Sequence, residues 1–129
     1  MGVRVARLGT QRIEGECVRI GTVRRPPRGV PKTEFASLDY YDVWFPLLAP
    51  SAETVKLALA AKTPAQWASF VKKYRAEMAK PDASHAIELL ALLSQHTDFS
   101  LGCYCENEER CHRSILLSLL IEKGAKINQ

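Results

Sequence analysis

The chain has 129 residues, 47% of them apolar and 25% charged, with a formal net charge of +4. That length fits one domain, which buries roughly two-thirds of its unfolded surface and needs neither disulfide nor metal to hold a core. No apolar run approaches the roughly 20 residues of a membrane span, and the start of the chain lacks the charged-then-apolar pattern of a secretion signal. The expectation is a cytoplasmic protein with no membrane partner.

In chain order, residues 3–8 predict a strand in which Val3 and Val5 alternate with Arg4, and residues 17–24 predict a second with Val18, Ile20 and Thr22 on one face. The run from Arg25 through Pro26, Pro27, Arg28 and Gly29 to Pro31 fits neither helix nor central strand, and makes a stiff exposed loop. Residues 41–46 resume a strand pattern, which Ala49-Pro50-Ser51 ends before a short helix capped by Ser51. Thr63-Pro64-Ala65-Gln66 is a capping box, and Trp67, Phe70, Val71, Tyr74 and Met78 then recur at helical spacing. Pro81-Asp82 opens another helix, with Ala86, Leu89, Leu90 and Leu93 as its expected buried stripe. Residues 99–104 predict a strand, and a last helix runs from about Glu108 to Lys123, stopped by Gly124. Strands early and late with helices between them predict a single α/β domain over residues 1–129, a small central sheet flanked by about four helices. The pattern leaves strand order and oligomeric state open.

Charge is unevenly distributed. Residues 1–32 carry eight basic side chains against Glu14 and Glu16, a local net charge of +6, while the remaining ten basic and twelve acidic residues give −2. Such clustering suits an anionic partner, a small phosphate-bearing ligand or nucleotide, or nucleic acid, as well as an ordinary solvated edge. Trp44, Tyr40 and Tyr41 have the chemistry to stack on bases, but aromatic strand residues more often serve the core. His85 and His96 bracket one helix and are expected to face solvent. Asp42, the one acid within the strand-like segment, is expected as the buried ion-pair partner of an arginine.

Three of the four cysteines, Cys103, Cys105 and Cys111, fall where the last strand hands over to the last helix. Strand alternation puts Phe99, Leu101 and Cys103 on one face, with Cys105 in the same parity. Asn107 is the expected helix cap, Glu108 and Glu109 occupy the first turn, and Cys111, His112 and Arg113 follow. In the reducing cytosol the cysteines are expected as thiols. Ligands gather beyond the carboxyl ends of parallel strands and anions at helix N-termini, so this junction is the expected site.

Several chemistries fit the junction. Arg113 and His112, with Arg24, Arg25 and Arg28 from the proline-rich loop, form an expected non-covalent anion pocket. A thiol enzyme would use Cys103 or Cys111 as nucleophile and His112 as base. Cys105 and Arg110 even have the Cys-x4-Arg spacing of sulfur-transfer loops, although this loop is acidic and lacks their glycines. Cys103, Cys105, Cys111 and His112 together offer four zinc ligands. Their spacing argues against zinc, because neighbouring helical residues point about 100° apart. A basic nucleic-acid-binding module and plain structural packing complete the set.

The closing segment GCYCENEERCHRSILLSLLIEKGA resembles the end of the domain-of-unknown-function family DUF488, whose pattern runs from Cys-Ala-Glu through an acidic spacer to Cys-His-Arg. Cys103, Cys111, His112 and Arg113 match it, and Arg24-Arg25-Pro26-Pro27-Arg28-Gly29 is similar to its Arg-x-x-Pro-Arg-Gly segment. DVWFPLLAPS and WASFVKKYRAEM resemble its YeaO-like branch. The resemblance implies a compact cytosolic α/β domain with two arginine-bearing segments meeting at one pocket, and implies no reaction. Two departures from the pattern matter. Val23 stands where the family usually has aspartate, and Cys105 where it has glutamate.

Overall fold

The computed structural model describes residues 2–105 and 110–128. Four strands, β1 (Gly2–Arg7), β2 (Val18–Gly21), β3 (Val43–Trp44) and β4 (Asp98–Cys103), form one sheet in the order β1-β4-β2-β3, and every pairing is parallel. Between β3 and β4 lie three helices, α1 (Ala52–Ala60), α2 (Pro64–Met78) and α3 (Pro81–Leu93), and α4 (His112–Glu122) follows β4. The fold is the expected α/β domain. Among the described residues, no helix is long and apolar enough to cross a membrane.

Parallel strands need cover, and β4 at the sheet centre shows why: every residue from Phe99 to Cys103 is buried. Register aligns Val5, Leu101 and Ile20 across the sheet, and Val3 beside Phe99. This face packs against Phe70, Tyr74 and Met78 of α2, Ile87 and Leu90 of α3, and Leu116 and Leu120 of α4. The opposite face carries the row Arg4, Ser100 and Arg19. Burying the Arg19 charge works because each of its three guanidinium nitrogens has a partner: Nε donates to Glu16 Oε1 at 2.7 Å, Nη2 to Glu16 Oε2 at 3.0 Å, and Nη1 to the Thr10 and Asp39 carbonyls at 2.8 Å.

The helices form for the local reasons legible in the chain. Ser51 Oγ accepts from the Thr54 amide to cap α1. Thr63 and Gln66 exchange both capping-box hydrogen bonds, each at 3.2 Å. Tyr74 is fully buried, and its hydroxyl donates to the Leu48 carbonyl at 2.7 Å.

The buried stripe of α3 differs from expectation. Ala83, Ile87, Leu90 and Ala91 face inward, while Leu89 is 56% and Leu93 39% exposed. Both phases of this helix are apolar, so hydropathy does not choose between them. The inward phase also carries Ser94, whose hydroxyl donates to the Ala91 carbonyl and accepts the Lys126 amide, tying the C-terminal segment to the helix. Strand β2 also departs from a simple one-sided reading: Val18 is exposed and Thr22, just past the strand, is fully buried. β3 is only two residues long, an edge strand ended by Pro46. The expected cap Asn107 and the first turn at Glu108 and Glu109 lie outside the described residues. The described helix α4 starts at His112, with Cys111 as its N-cap.

Candidate functional site

The topology itself opens a crevice. Adjacent strands β2 and β4 send their chains in opposite directions: β2 runs outward to β3, whereas β4 leads into α4, which packs on β4 and β1. Ligands settle where parallel strands part in this way. Here the gap is a cavity of about 400 Å³. Its floor is Cys103, Cys111 and His112, its apolar wall is Val23, Val55, Leu59 and Phe70, and Arg24, Arg25, Lys56 and Arg110 bring four cationic side chains to it. Lys56 stands on α1, and the Arg110 guanidinium lies 5.4 Å from the Trp67 ring centre.

Three side chains converge on the floor. Cys103 ends β4, Cys111 caps α4 and His112 is its first residue, all buried. Cys111 and His112 point to the same place because Cys111 is extended (φ −135°, ψ 149°) rather than helical. The angular objection drawn from helical spacing therefore does not apply. The Cys103 and Cys111 sulfurs are at disulfide distance, yet the Cα atoms are 7.8 Å apart, beyond the roughly 4.4–6.8 Å that bridged cysteines usually span. The three ligand-type atoms lie within 4.8 Å of one another.

The ring of His112 is locked. Nε2 is 2.7 Å from the Thr22 carbonyl oxygen, an acceptor only, so Nε2 carries the proton and donates it. Nδ1 is thereby left with a lone pair, 3.9 Å from Cys111 Sγ. Thr22 is itself pinned to β4, its amide and hydroxyl both donating to the Gly102 carbonyl at 2.9 and 3.0 Å. Burial pushes the imidazole pKa down to about 4, more strongly than the Thr22 hydrogen bond raises it. His112 is neutral at pH 7 and offers the site a lone pair, not a charge.

Arg113 lies beneath the floor, buried, with Nη1 donating to the Cys105 carbonyl at 2.8 Å and to Cys103 Sγ at 3.4 Å. Cys105 lines the cavity, but burial pushes its thiol up, against the pull of Arg113 downward.

The arginines of the proline-rich loop divide their roles. Arg24 straps the loop to the end of the 46–48 turn, donating to the Ala49 and Pro50 carbonyls at 3.1 Å. Arg25 lines the cavity and also a neighbouring groove of about 320 Å³, where Arg28 meets Tyr40 and Tyr104. Thus Arg24, Arg25, Cys103, Cys105, Cys111 and His112 share one cavity, Arg28 flanks it and Arg113 underlies it. Much of the remaining basic excess of residues 1–32 is spent within the fold: Arg12 pairs with Asp42 at 2.8 Å, Arg19 with Glu16, and Arg4 bonds Asn128. Asp42 does pair with an arginine, at the surface rather than buried, and His85 and His96 are exposed. Trp44 is 41% exposed and donates through Nε1 to the Val23 carbonyl, while Tyr41 is core. Sequence reasoning missed Thr22, Lys56 and the apolar wall, which join the site only through tertiary packing.

No curated protein and no solved structure matches the chain. A family model described as the active DUF488-N3 subclade matches residues 3–124, nearly the whole chain and both arginine-bearing and Cys-His-Arg segments. The chain belongs to the DUF488 family, in its DUF488-N3 subclade.

Proposed function

We propose that the crevice between β2 and β4 binds a small phosphate-bearing, nucleotide-like molecule. The observation that carries this reading is the lining of the 400 Å³ cavity: an apolar wall of Val23, Val55, Leu59 and Phe70 with Arg24, Arg25, Lys56 and Arg110 around it. A cavity of this size suits a small molecule, and apolar walls with few polar groups are what such sites use to hold and orient one. The apolar wall accepts a flat or aliphatic body, and the cations take the anionic group.

Calorimetry with inorganic phosphate, pyrophosphate and nucleoside phosphates tests the reading. Binding is expected for at least one of them, weakened at least tenfold by Lys56→Glu combined with Arg25→Glu. Absence of binding by the whole series, or equal affinity in the double variant, would overturn it.

A second reading, thiol-dependent catalysis on the bound molecule, is supported by the His112 Nδ1 lone pair facing Cys111 and the Arg113 contact to Cys103. It requires one of these thiols to alkylate faster than a free cysteine at pH 7. Uniformly slow alkylation of the reduced, metal-free protein would count against it.

A further inference from the structure

We propose that Cys103 Sγ, Cys111 Sγ and His112 Nδ1 form a three-ligand site for a thiophilic divalent cation, zinc by its donor set, with the open coordination position facing the cavity. Two sulfurs and one imidazole match the soft-to-borderline donors that zinc selects, and three protein ligands with one exchangeable position are the pattern of reactive rather than structural zinc sites.

Four independent features of the geometry support this. The three ligand atoms already lie within 4.8 Å of one another, and all three residues are buried. The 7.8 Å between the Cα atoms of Cys103 and Cys111 is long for a disulfide. It accommodates side-chain rotations that part the sulfurs to the roughly 3.8 Å they would take across a tetrahedral ion. The Thr22 carbonyl holds the Nε2 proton, which leaves Nδ1 as the metal-facing nitrogen; a backbone carbonyl in this role is the usual outer support of a metal-bound histidine. The extended backbone of Cys111 at the N-cap brings two sequence neighbours to one point.

The charges also balance. Two thiolates neutralise a dication, and the Arg113 hydrogen bond to Cys103 Sγ tempers the electron density on that sulfur. All three residues line the cavity, so an ion held by them has access to its contents. The open position takes water in the resting protein and an oxygen of the anionic ligand when that is bound. This last assignment rests on the proposed function of the cavity; the three-ligand site does not.

Cobalt(II) titration of the reduced, chelator-treated full chain tests the proposal. One equivalent is expected to give tetrahedral visible bands and thiolate-to-cobalt charge-transfer absorption, both abolished by one equivalent of zinc. Cys103→Ser, Cys111→Ser and His112→Ala are expected to lose these bands, and Cys105→Ser and Cys17→Ser to keep them. In the wild-type protein, which needs no substitution to fold, zinc is expected to protect Cys103 and Cys111 from alkylation while leaving Cys17 reactive. No charge-transfer band, or no zinc protection of those two thiols, would overturn the site. Loss of the bands in Cys105→Ser would overturn the three-ligand assignment in favour of a closed four-ligand one.

Inorganic phosphate and pyrophosphate are then added to the cobalt protein. A changed visible spectrum supports the open position. An unchanged spectrum with calorimetric binding overturns that position alone, and an unchanged spectrum without binding counts against the cavity reading instead.

Discussion

His112 Nε2 and the Thr22 carbonyl oxygen lie 2.7 Å apart, so the first residue of α4 is tied to the chain leaving β2, across the gap where the two strands part. One backbone acceptor thereby decides which imidazole nitrogen faces the two sulfurs. Imidazole nitrogen spectra of the metal-free protein are expected to show His112 as the Nε2–H tautomer. Its Nδ1 should stay unprotonated from pH 8 down to about 5, since burial holds the group far below the usual histidine range. A titration near the ordinary value of 6.5 would mean that the ring leaves its pocket.

The Arg19–Glu16 pair is expected to behave as a unit. Arg19→Met strands a buried carboxylate and should cost about 3–5 kcal/mol in denaturant unfolding. Adding Glu16→Leu should recover much of that loss, because the uncompensated charge goes with it. Additive losses in the double variant would show the two residues to be energetically independent.

Acid should destabilise the protein through two carboxylates. Burial raises the Glu16 pKa, but hydrogen bonds from Arg19 and the Ile13 amide outweigh it, so the net shift is downward. Glu77 is lowered in the same way by Ser51 and Thr54. A carboxyl whose folded pKa lies below its unfolded value near 4.5 stabilises the fold fully above that value. The contribution is lost as pH falls through the lowered folded pKa. Melting temperature measured from pH 6 downward should therefore drop below about pH 4.5, and the drop should be shallower in Glu77→Gln. Equal slopes in the two proteins would remove Glu77 from the account.

Gly102 of β4 has no room for a side chain, because an added Cβ would meet the Leu8 side chain. Gly102→Ala should cost about 1–3 kcal/mol through overpacking. Leu8→Ala, although destabilising alone, should relieve part of the clash in the double variant. Chemical denaturation of the four proteins reads this directly, and a strictly additive double variant would contradict it.

Elements whose formation is local were legible in the chain. The Thr63–Gln66 capping box, the Ser51 cap, the prolines that open α2 and α3 and the strand alternation around Phe99, Leu101 and Cys103 each depend on residues a few positions apart. The Cys-His-Arg segment is legible as a site for the same reason: it stands at a strand-to-helix junction. Other facts depend on which surfaces meet. Hydropathy could not decide that Ile87 rather than Leu89 faces inward, since both phases of α3 are apolar. Nothing near Arg19 announces that it is buried, because Thr10 and Asp39 reach it through the fold.

The site shows the same division most sharply. Sequence alone brought Cys103, Cys111, His112 and the proline-rich arginine loop into one hypothesis. It read His112 and Arg113 as binding charge. Tertiary structure made His112 a neutral lone-pair donor, since burial opposes its protonation and the Thr22 carbonyl takes its only hydrogen. It placed Arg113 under the floor, kept Arg24 and Arg25 at the cavity and added Lys56 and Arg110 to them. Chain order set the junction's chemistry; the parting of β2 and β4, a relation between distant segments, decided which groups face the cavity and in what state.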